Sequence, residues 1–337
     1  MPLTNFPYGI YAVPMVGANT IDIFEGSRFA NSADPNGGNI YFVDGDNGAD
    51  GNDGHSPDSP KKTIGGALSV SAAGAVIYIK ARNVSAGGTD PVSYAENVTI
   101  GASQFGTKLI GVASGTKQIA QPQIKKGSGS TAQLTIKAPG CLISGITING
   151  ASATGGGILL SDDGTTMVAA GTIIQNCFLK NCVGGTATDG SKGGAVQIAS
   201  TGGAWNVLIR NCEFYNNIGG VVLLGTSDAV PQDLTIDGCI FTSTDNTTRD
   251  VDIWGHAGSG MNSVVINNCL FGVFPNAGTK NTYMDLTGCN GLLSACKFAS
   301  TGKTFGAAAN VVVPTTVLMA ANYQEHAAGG SGEIGRT

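Results

Sequence analysis

The segment VLIRNCEF at Val207–Phe214 recurs with variations at four other places in the sequence. The other copies are TIIQNCF at Thr172–Phe178, LTIDGCIF at Leu234–Phe241, VVINNCLF at Val264–Phe271 and GLLSACKF at Gly291–Phe298. An earlier copy, CLISGITI at Cys141–Ile148, carries Ile146 in place of the cysteine, and Phe178 follows its cysteine directly. The aligned cysteines, Cys177, Cys212, Cys239, Cys269 and Cys296, are separated by 35, 27, 30 and 27 residues. A repeat of this length, rich in strand-forming residues, predicts coils that stack on one another.

The spacing within each copy predicts a bend. Inward-facing residues of a strand alternate, yet Ile209 and Cys212 are three residues apart. A sharp bend at Arg210–Asn211 would absorb the extra residue, because Asn and Gly tolerate the left-handed backbone conformation. Coils stacked about 4.8 Å apart would then place Cys on Cys and Phe on Phe in the interior, with an asparagine ladder at the turn.

A second apolar segment precedes each copy. These segments are Gly157–Leu160, Ala195–Ile198, Val221–Leu224, Val251–Trp254 and Tyr283–Leu286. Each coil therefore contains one short strand, a variable loop and a bent pair of strands. We predict an all-β protein, a right-handed single-stranded parallel β-helix; the alternative is a β-sandwich in which the motifs coincide by chance.

The composition excludes several classes of protein. The 337 residues include 52 glycines, 42% are hydrophobic and only 12% are charged, which argues against both disorder and a coiled coil. With a net charge of -5 and no basic run longer than Lys125–Lys126, we expect no nucleic-acid partner. The sequence contains no run of 18 apolar residues, so it predicts no membrane span. The eight cysteines lack any CxxC pair, and the N-terminus lacks a signal-peptide pattern, so we expect buried reduced thiols.

Two further segments resemble known proteins. The repeats, together with FVDGDNGADGNDGHSPDSPKKTIGGAL at Phe42–Leu68, resemble the pectate-lyase-like β-helix superfamily over about residues 40–300. That superfamily holds lyases, hydrolases, adhesins and inert virion parts, so the resemblance implies a fold more than an activity. The leader MPLTNFPYGIYAVPMVG at Met1–Gly17 resembles the start of phage-encoded β-helix proteins, which implies a virion structural protein.

The chain divides into four predicted parts. Residues 1–38 form an extended arm that attaches the protein to its assembly. Residues 39–74 contain a first strand, an Asp/Gly loop and a helix over Thr63–Ser71 that caps the core; residues 75–320 are the β-helix, and 321–337 are a loose or partner-bound tail. The apolar side chains predicted to bind a partner are Phe6, Tyr8, Ile10, Tyr11, Val13, Met15 and Val16.

The Asp/Gly loop is a weak candidate metal site. Asp44, Asp46, Asp50 and Asp53 are closely spaced carboxylates among glycines, as Ca²⁺ requires. The loop departs from the EF-hand pattern, because Gly48 occupies a ligand position and no Glu closes it. The alternative, which we favour, is a tight turn whose Asp and Asn side chains bind backbone amides, with no cofactor.

Asp252 and Asp285 form the alternative catalytic site. Both alternate with apolar residues, so we expect both to face outward and to stack about 5 Å apart if their strands are in register. Trp254 and Tyr283 would flank them as sugar-binding aromatics, the arrangement of a retaining glycosidase. The competing interpretation is a solvated strand face without catalysis.

The sequence thus favours a non-enzymatic virion structural protein, a trimer that decorates the capsid. Its partners would be two further copies and other virion proteins such as the major capsid protein, and it would be made in the host cytoplasm. The trimer contact would use Val221, Leu223, Trp254 and Tyr283 as exposed side chains. The alternative is a tailspike or secreted enzyme, a lyase or glycoside hydrolase, that binds or cleaves surface polysaccharide.

Overall fold

The computed structural model contains three long β-sheets and almost no helix. It describes residues 39–84, 86, 88, 90–112, 120–125, 131–150, 156–162, 168–182, 194–199, 204–224, 232–242, 251–255, 260–273, 283–300, 311–325 and 332–333. The predicted arm lies outside the described residues, and so do its assembly residues Phe6, Tyr8, Ile10, Tyr11, Val13, Met15 and Val16.

The strands fall into sheets 1, 2 and 3. Sheet 1 contains Ile40–Val43, Val76–Lys80, Lys108–Val112, Leu142–Ser144, Ile173–Gln175, Leu208–Arg210, Thr235–Asp237, Val264–Asn267, Gly291–Ser294 and Val317–Ala320. Sheet 2 contains Gln123–Ile124, Thr147–Asn149, Phe178–Lys180, Glu213–Tyr215, Ile240–Thr242, Leu270–Val273, Lys297–Ser300, Tyr323–Glu325 and Gly332–Glu333. Sheet 3 contains Val98–Ile100, Leu134–Ile136, Ile158–Leu160, Val196–Ala199, Gly219–Leu224, Val251–Trp254, Met284–Asp285 and Val311–Val312.

The chain visits the sheets in a fixed order. Each coil runs from sheet 3 to sheet 1 to sheet 2, and each strand pairs in parallel with the equivalent strand of the preceding coil. The predicted short strands before each repeat are the strands of sheet 3, and the predicted bent pairs span sheets 1 and 2. The chain is a right-handed parallel β-helix, which confirms the predicted fold class.

The bend between sheets 1 and 2 has the predicted conformation. Its first residue has a positive φ in every repeat copy: Asn176 (54°), Asn211 (52°), Gly238 (61°), Asn268 (52°) and Ala295 (52°). The following cysteine then turns back into the interior. Because the left-handed region carries a steric cost for most residues, Asn and Gly predominate at this position.

The interior contains the predicted phenylalanine ladder. Phe214, Phe241, Phe271 and Phe298 stack with ring centroids 4.4, 4.9 and 4.9 Å apart. The ladder does not include Phe178, because Phe178 stands one position earlier than the other phenylalanines and Leu179 lies opposite Phe214.

The interior also contains the predicted cysteine ladder. All eight cysteines are free thiols and buried. Along the ladder, each Sγ lies 3.6–3.8 Å from a carbonyl oxygen of the preceding coil, as for Cys212 with Ile174 and Cys239 with Ile209. Burial raises the pKa of Cys212 well above its usual range, and the adjacent Cys177 and Cys239 thiols raise it further.

We expect the native thiols to be unreactive. Burial raises the pKa of Cys182 and Cys141 to about 12 and that of Cys289 to about 11, so few thiolates exist near neutral pH. An aromatic disulfide reagent at pH 8 should label almost none of the folded protein and all eight thiols in denaturant. Recovery of four disulfides would contradict this result.

A short helix covers the N-terminal coil. Helix α1 (Ile64–Leu68) packs Ile64, Ala67 and Leu68 into the core, over a shorter span than predicted. Thr63 Oγ1 accepts a hydrogen bond from Gly66 N at 2.9 Å. The Glu96 carboxylate accepts bonds from the backbone N–H groups of Ile64 and Gly65, both at 2.8 Å. These acceptors satisfy amides that a helix N-terminus leaves unpaired.

The coils continue beyond the predicted boundary at residue 320. Tyr323–Glu325 pairs in parallel with Lys297–Ser300, and Gly332–Glu333 adds an antiparallel strand to it. Asn322, just before Tyr323, takes the ladder position of the cysteines: its Oδ1 accepts from Cys296 N at 3.0 Å, and its Nδ2 donates to Leu293 O at 2.9 Å. The side chain is fully buried and ends the cysteine column.

Candidate functional sites on the outer faces

The Asp/Gly loop has the geometry of a hydrogen-bonded turn. Asp44 accepts bonds from the amides of Asp46 and Asn47 and from Lys80 Nζ at 2.6 Å. The other carboxylates are engaged similarly: Asp46 with Arg82, Asp50 with the Thr63 amide and hydroxyl, and Asp53 with the His55 amide. In the part of the chain that the structure describes, no group of three His, Cys, Asp or Glu side chains could hold a metal ion.

Asp44 should make stability depend on pH. Burial would raise the pKa of Asp44, but Lys80, Asn47 and the backbone amides outweigh it and lower the pKa to about 2. The ion pair therefore contributes stability above pH ~4, and this contribution is lost as pH falls towards 2. Because Lys80 is half-exposed, we expect the ion pair to contribute about 1–2 kcal/mol to the free energy of unfolding.

The measurement is a series of urea unfolding curves from pH 6 to pH 2. The Asp44→Asn variant should be less stable at pH 6 and should approach the wild type near pH 2. Parallel curves for the two proteins would show that the carboxylate does not carry this pH dependence.

The predicted acidic pair at sheet 3 has a different arrangement. Ile253 points into the core, whereas Val251 and Trp254 pack together on the outer side of the strand. Asp252 is only 1% exposed, so the prediction of a solvated Asp252 is wrong. Trp254 is half-buried against Ile218, Val222 and Val251. Asp250 lies outside the described residues.

The register separates the two carboxylates. Trp254 lies opposite Asp285, and the amides of Asp252 and Ile253 both donate to the carbonyl oxygen of Tyr283. Asp252 and Asp285 are therefore not the stacked pair at ~5 Å that we expected for a retaining glycosidase, since Trp254 lies opposite Asp285.

Tyr283 is not an exposed sugar-binding aromatic. It is buried in the core, where its ring meets the edge of Phe298 at 6.0 Å. Val221 and Leu223 are core residues as well, so the predicted trimer face retains only Trp254. The sequence could not reveal this, because both faces of these strands carry large apolar residues.

The long connections border sheet 3. The turn from sheet 1 to sheet 2 is only residues 176–177 in one coil, whereas residues 181–195 lead to sheet 3 and 200–207 lead away from it. Loops commonly carry binding residues on a rigid scaffold. In this coil, the longest connections in sequence therefore precede and follow the strand of sheet 3.

A second set of exposed residues was not predicted from the sequence. At the corner where the chain enters sheet 1, Trp205, Gln232 and Asn262 lie in register on successive coils. Trp205 is 43% exposed. We call the exposed set at this corner the corner stripe; it comprises Trp205, Asn206, Gln232, Asp233, Asn262 and Asn290. The turn sequences that carry these residues show no motif of their own.

The outer face of sheet 1 carries a row of linked polar side chains. Arg210 Nε donates to Gln175 Oε1 at 2.8 Å, and Asn267 Nδ2 donates to Asp237 Oδ1 at 2.8 Å. Ser294 Oγ continues the row by donating to Asn267 Oδ1 at 3.0 Å. These contacts satisfy one another, so we interpret the row as structural.

The comparisons with known proteins identify a fold. No protein-family model matches the chain, and no curated protein sequence matches it either. The alginate lyase from Paenibacillus sp. str. FPU-7 superposes with a TM-score of 0.54 at 14% identity, covering 77% of this chain and 92% of the lyase.

No described helix is long and apolar enough to cross a membrane.

Two other similar structures have lower scores. The pectin methylesterase from Aspergillus niger has a TM-score of 0.42 at 12% identity, with 88% of each chain covered. The tailspike protein of Acinetobacter baumannii bacteriophage Fri1, a capsular polysaccharide depolymerase, has a TM-score of 0.37 at 9% identity, covering 75% of this chain and 56% of the tailspike. At 14% identity, the likeness to the alginate lyase shows a shared fold, the parallel β-helix.

Proposed function

We propose that this chain binds a linear polysaccharide across the outer face of sheet 3. The observation that carries the proposal is Trp254, a half-buried aromatic ring on the outer side of its strand, opposite Asp285. Aromatic rings pack against sugar rings, and a neighbouring carboxylate accepts hydrogen bonds from hydroxyl groups. The fold shared with an alginate lyase supports the same class of ligand.

The charges favour a neutral polysaccharide. The chain has a net charge of -5, and the side chain opposite Trp254 on this face is the carboxylate of Asp285. A uronate polymer would meet like charges there, which lowers affinity. Binding without cleavage is proposed, because Asp252 is buried and Trp254, rather than Asp252, lies opposite Asp285, which does not match a retaining pair.

The two tryptophans of the chain allow a direct test. In the Trp205→Phe variant, Trp254 is the sole indole and reports on sheet 3. Neutral β-linked oligosaccharides should change its fluorescence saturably, and alginate oligosaccharides should bind more weakly. The control, Trp254→Ala in the same background, should lose binding while its circular dichroism stays that of a β-protein. An unchanged Trp254 emission with every glycan would refute the proposal.

Cleavage is tested separately from binding. Incubation with the same glycans followed by assays for new reducing or unsaturated ends should detect no product. An activity that Asp252→Asn abolishes would favour the enzyme alternative, a lyase or glycoside hydrolase with Asp252 and Asp285 as its acidic residues.

A second candidate function is a virion structural role. The observation in its favour is the sequence of the leader and of Phe42–Leu68, which resembles phage β-helix proteins. On this proposal the chain forms a homotrimer bound to other virion proteins such as the major capsid protein, after synthesis in the host cytoplasm. Sedimentation equilibrium should then give three times the chain mass, and a monomer at micromolar concentration would contradict the trimer.

A further inference from the structure

We propose that the corner stripe is a second, separate binding site for a linear neutral glycan. It lies where the chain enters sheet 1, whereas the site proposed above lies on sheet 3. The inference goes beyond that proposal and does not depend on it, since each site has its own tryptophan.

The stripe has a spacing that suits a sugar chain. Trp205, Gln232 and Asn262 bridge in parallel on successive coils, so their backbones are about 4.8 Å apart. This step is close to the length of one pyranose unit in an extended chain. A glycan that lies along the helix axis would therefore present one sugar ring to each coil.

The side chains of the stripe have the chemistry of a saccharide site. The exposed Trp205 ring offers a flat apolar face for the carbon-bound hydrogens of a pyranose. The amides of Gln232 and Asn262 offer both donors and acceptors to hydroxyl groups.

Part of the stripe is held in place before any ligand binds. Asn290 Nδ2 donates to Asn262 Oδ1 at 2.7 Å, and Asn290 Oδ1 accepts from the Ser263 amide at 2.7 Å. Asn206 and Asp233 share a left-handed backbone, with φ of 54° and 56°, so their side chains leave successive coils in the same direction. Such ordering lowers the entropy lost when a ligand binds.

The stripe has a defined end. At the same corner of the earlier coils, the equivalent left-handed residues are Gly106, Gly140 and Gly171, with φ of 71°, 70° and 65°. Glycine offers no side chain to a ligand, so the row of polar side chains begins at the coil of Trp205 and runs to Asn290. The ligand should contact about one sugar unit for each of these coils.

The charges and the shape disfavour other ligands. Asp233 is the only charged member of the stripe, so neither nucleic-acid phosphates nor uronates would find a cation there. Trp205 is one apolar residue among amides rather than part of a broad apolar patch, so a protein partner would gain little burial.

The test uses the Trp254→Phe variant, in which Trp205 is the sole indole. Neutral β-linked oligosaccharides of increasing length should change its emission saturably. Affinity should rise with length and level off once the chain spans the coils from Trp205 to Asn290. Asn262→Ala in this background should weaken binding by about 2- to 12-fold, the range of one net hydrogen bond.

The matched controls are at the same corner. Phe105→Ala removes an exposed aromatic three coils away and should leave the affinity unchanged. Trp205→Ala in the Trp254→Phe background should weaken glycan binding, measured by calorimetry, at least about ten-fold. An unchanged Trp205 emission with every neutral glycan would overturn the proposal, and so would equal binding of alginate oligosaccharides. Neither result depends on whether Trp254 responds in the reciprocal variant.

Discussion

Replacing Phe241 with alanine is expected to lower the free energy of unfolding by about 3–5 kcal/mol, the range for truncating a buried aromatic side chain. Phe241 is fully buried, with its ring 4.4 Å from Phe214 and 4.9 Å from Phe271. Its removal would leave a cavity in the middle of the stack and break both ring contacts. Urea unfolding followed by circular dichroism measures the loss.

The control for this prediction is Phe105→Ala. Phe105 is 49% exposed, so its truncation should change stability by no more than about 0.5 kcal/mol. Since each coil contacts only its neighbours, the Phe241 cavity should also make the unfolding transition less cooperative. Equal losses from the two truncations would mean that the phenylalanine column is not interior.

The second large effect is expected at Asn322. Asn322→Ala would leave the Cys296 amide and the Leu293 carbonyl without their side-chain partner. Each buried polar group that loses its partner costs roughly 1–3 kcal/mol. We therefore expect the last coils to unfold at a lower urea concentration, measured by hydrogen exchange of amides in Val317–Ala320.

Asn322→Asp provides a matched comparison with a definite pH dependence. A buried carboxylate facing the Leu293 carbonyl should have its pKa raised in the folded state, because burial and the missing donor both disfavour the charge. The protonated form can donate as the amide does, so the stability deficit of this variant relative to the wild type should shrink as pH falls towards about 4, the ordinary pKa of an unfolded Asp. A difference in the free energy of unfolding between Asn322→Asp and the wild type that stays constant with pH would contradict the contact with Leu293.

The sequence was sufficient to predict the coil and its interior. The residue before each ladder cysteine, from Asn176 to Ala295, identified the left-handed bend, and the structure has it there. The prediction succeeded because each copy repeats the same local requirement, and stacking then places equal side chains together. The Phe178 exception was also visible, since Phe178 follows its cysteine directly.

The sequence was not sufficient to predict the outer faces. Asp252 was expected in solvent, yet it is buried, and Tyr283 was expected outside, yet it packs on Phe298. The amides of Asp252 and Ile253 share one carbonyl, a local irregularity that breaks the alternation of the strand, and Trp254 rather than Asp252 lies opposite Asp285. No residue type in these strands predicts such an irregularity.

The corner stripe was missed for a different reason. Its members are separated in sequence by whole coils and lie in turns, where Asn, Asp and Gln ordinarily serve the backbone. Trp205 and Gln232 become neighbours only through the register of the stack. A search that aligns the residues just before each sheet 1 strand would have found them.

The central claim is that the outer surface of this β-helix binds neutral glycans through its two tryptophans. Affinity electrophoresis of the intact protein through gels that contain a neutral linear polysaccharide tests it most directly. The wild type should be retarded, and the Trp205→Ala, Trp254→Ala double variant should migrate as it does without polysaccharide. Identical migration of the two proteins in every polysaccharide gel would contradict the claim.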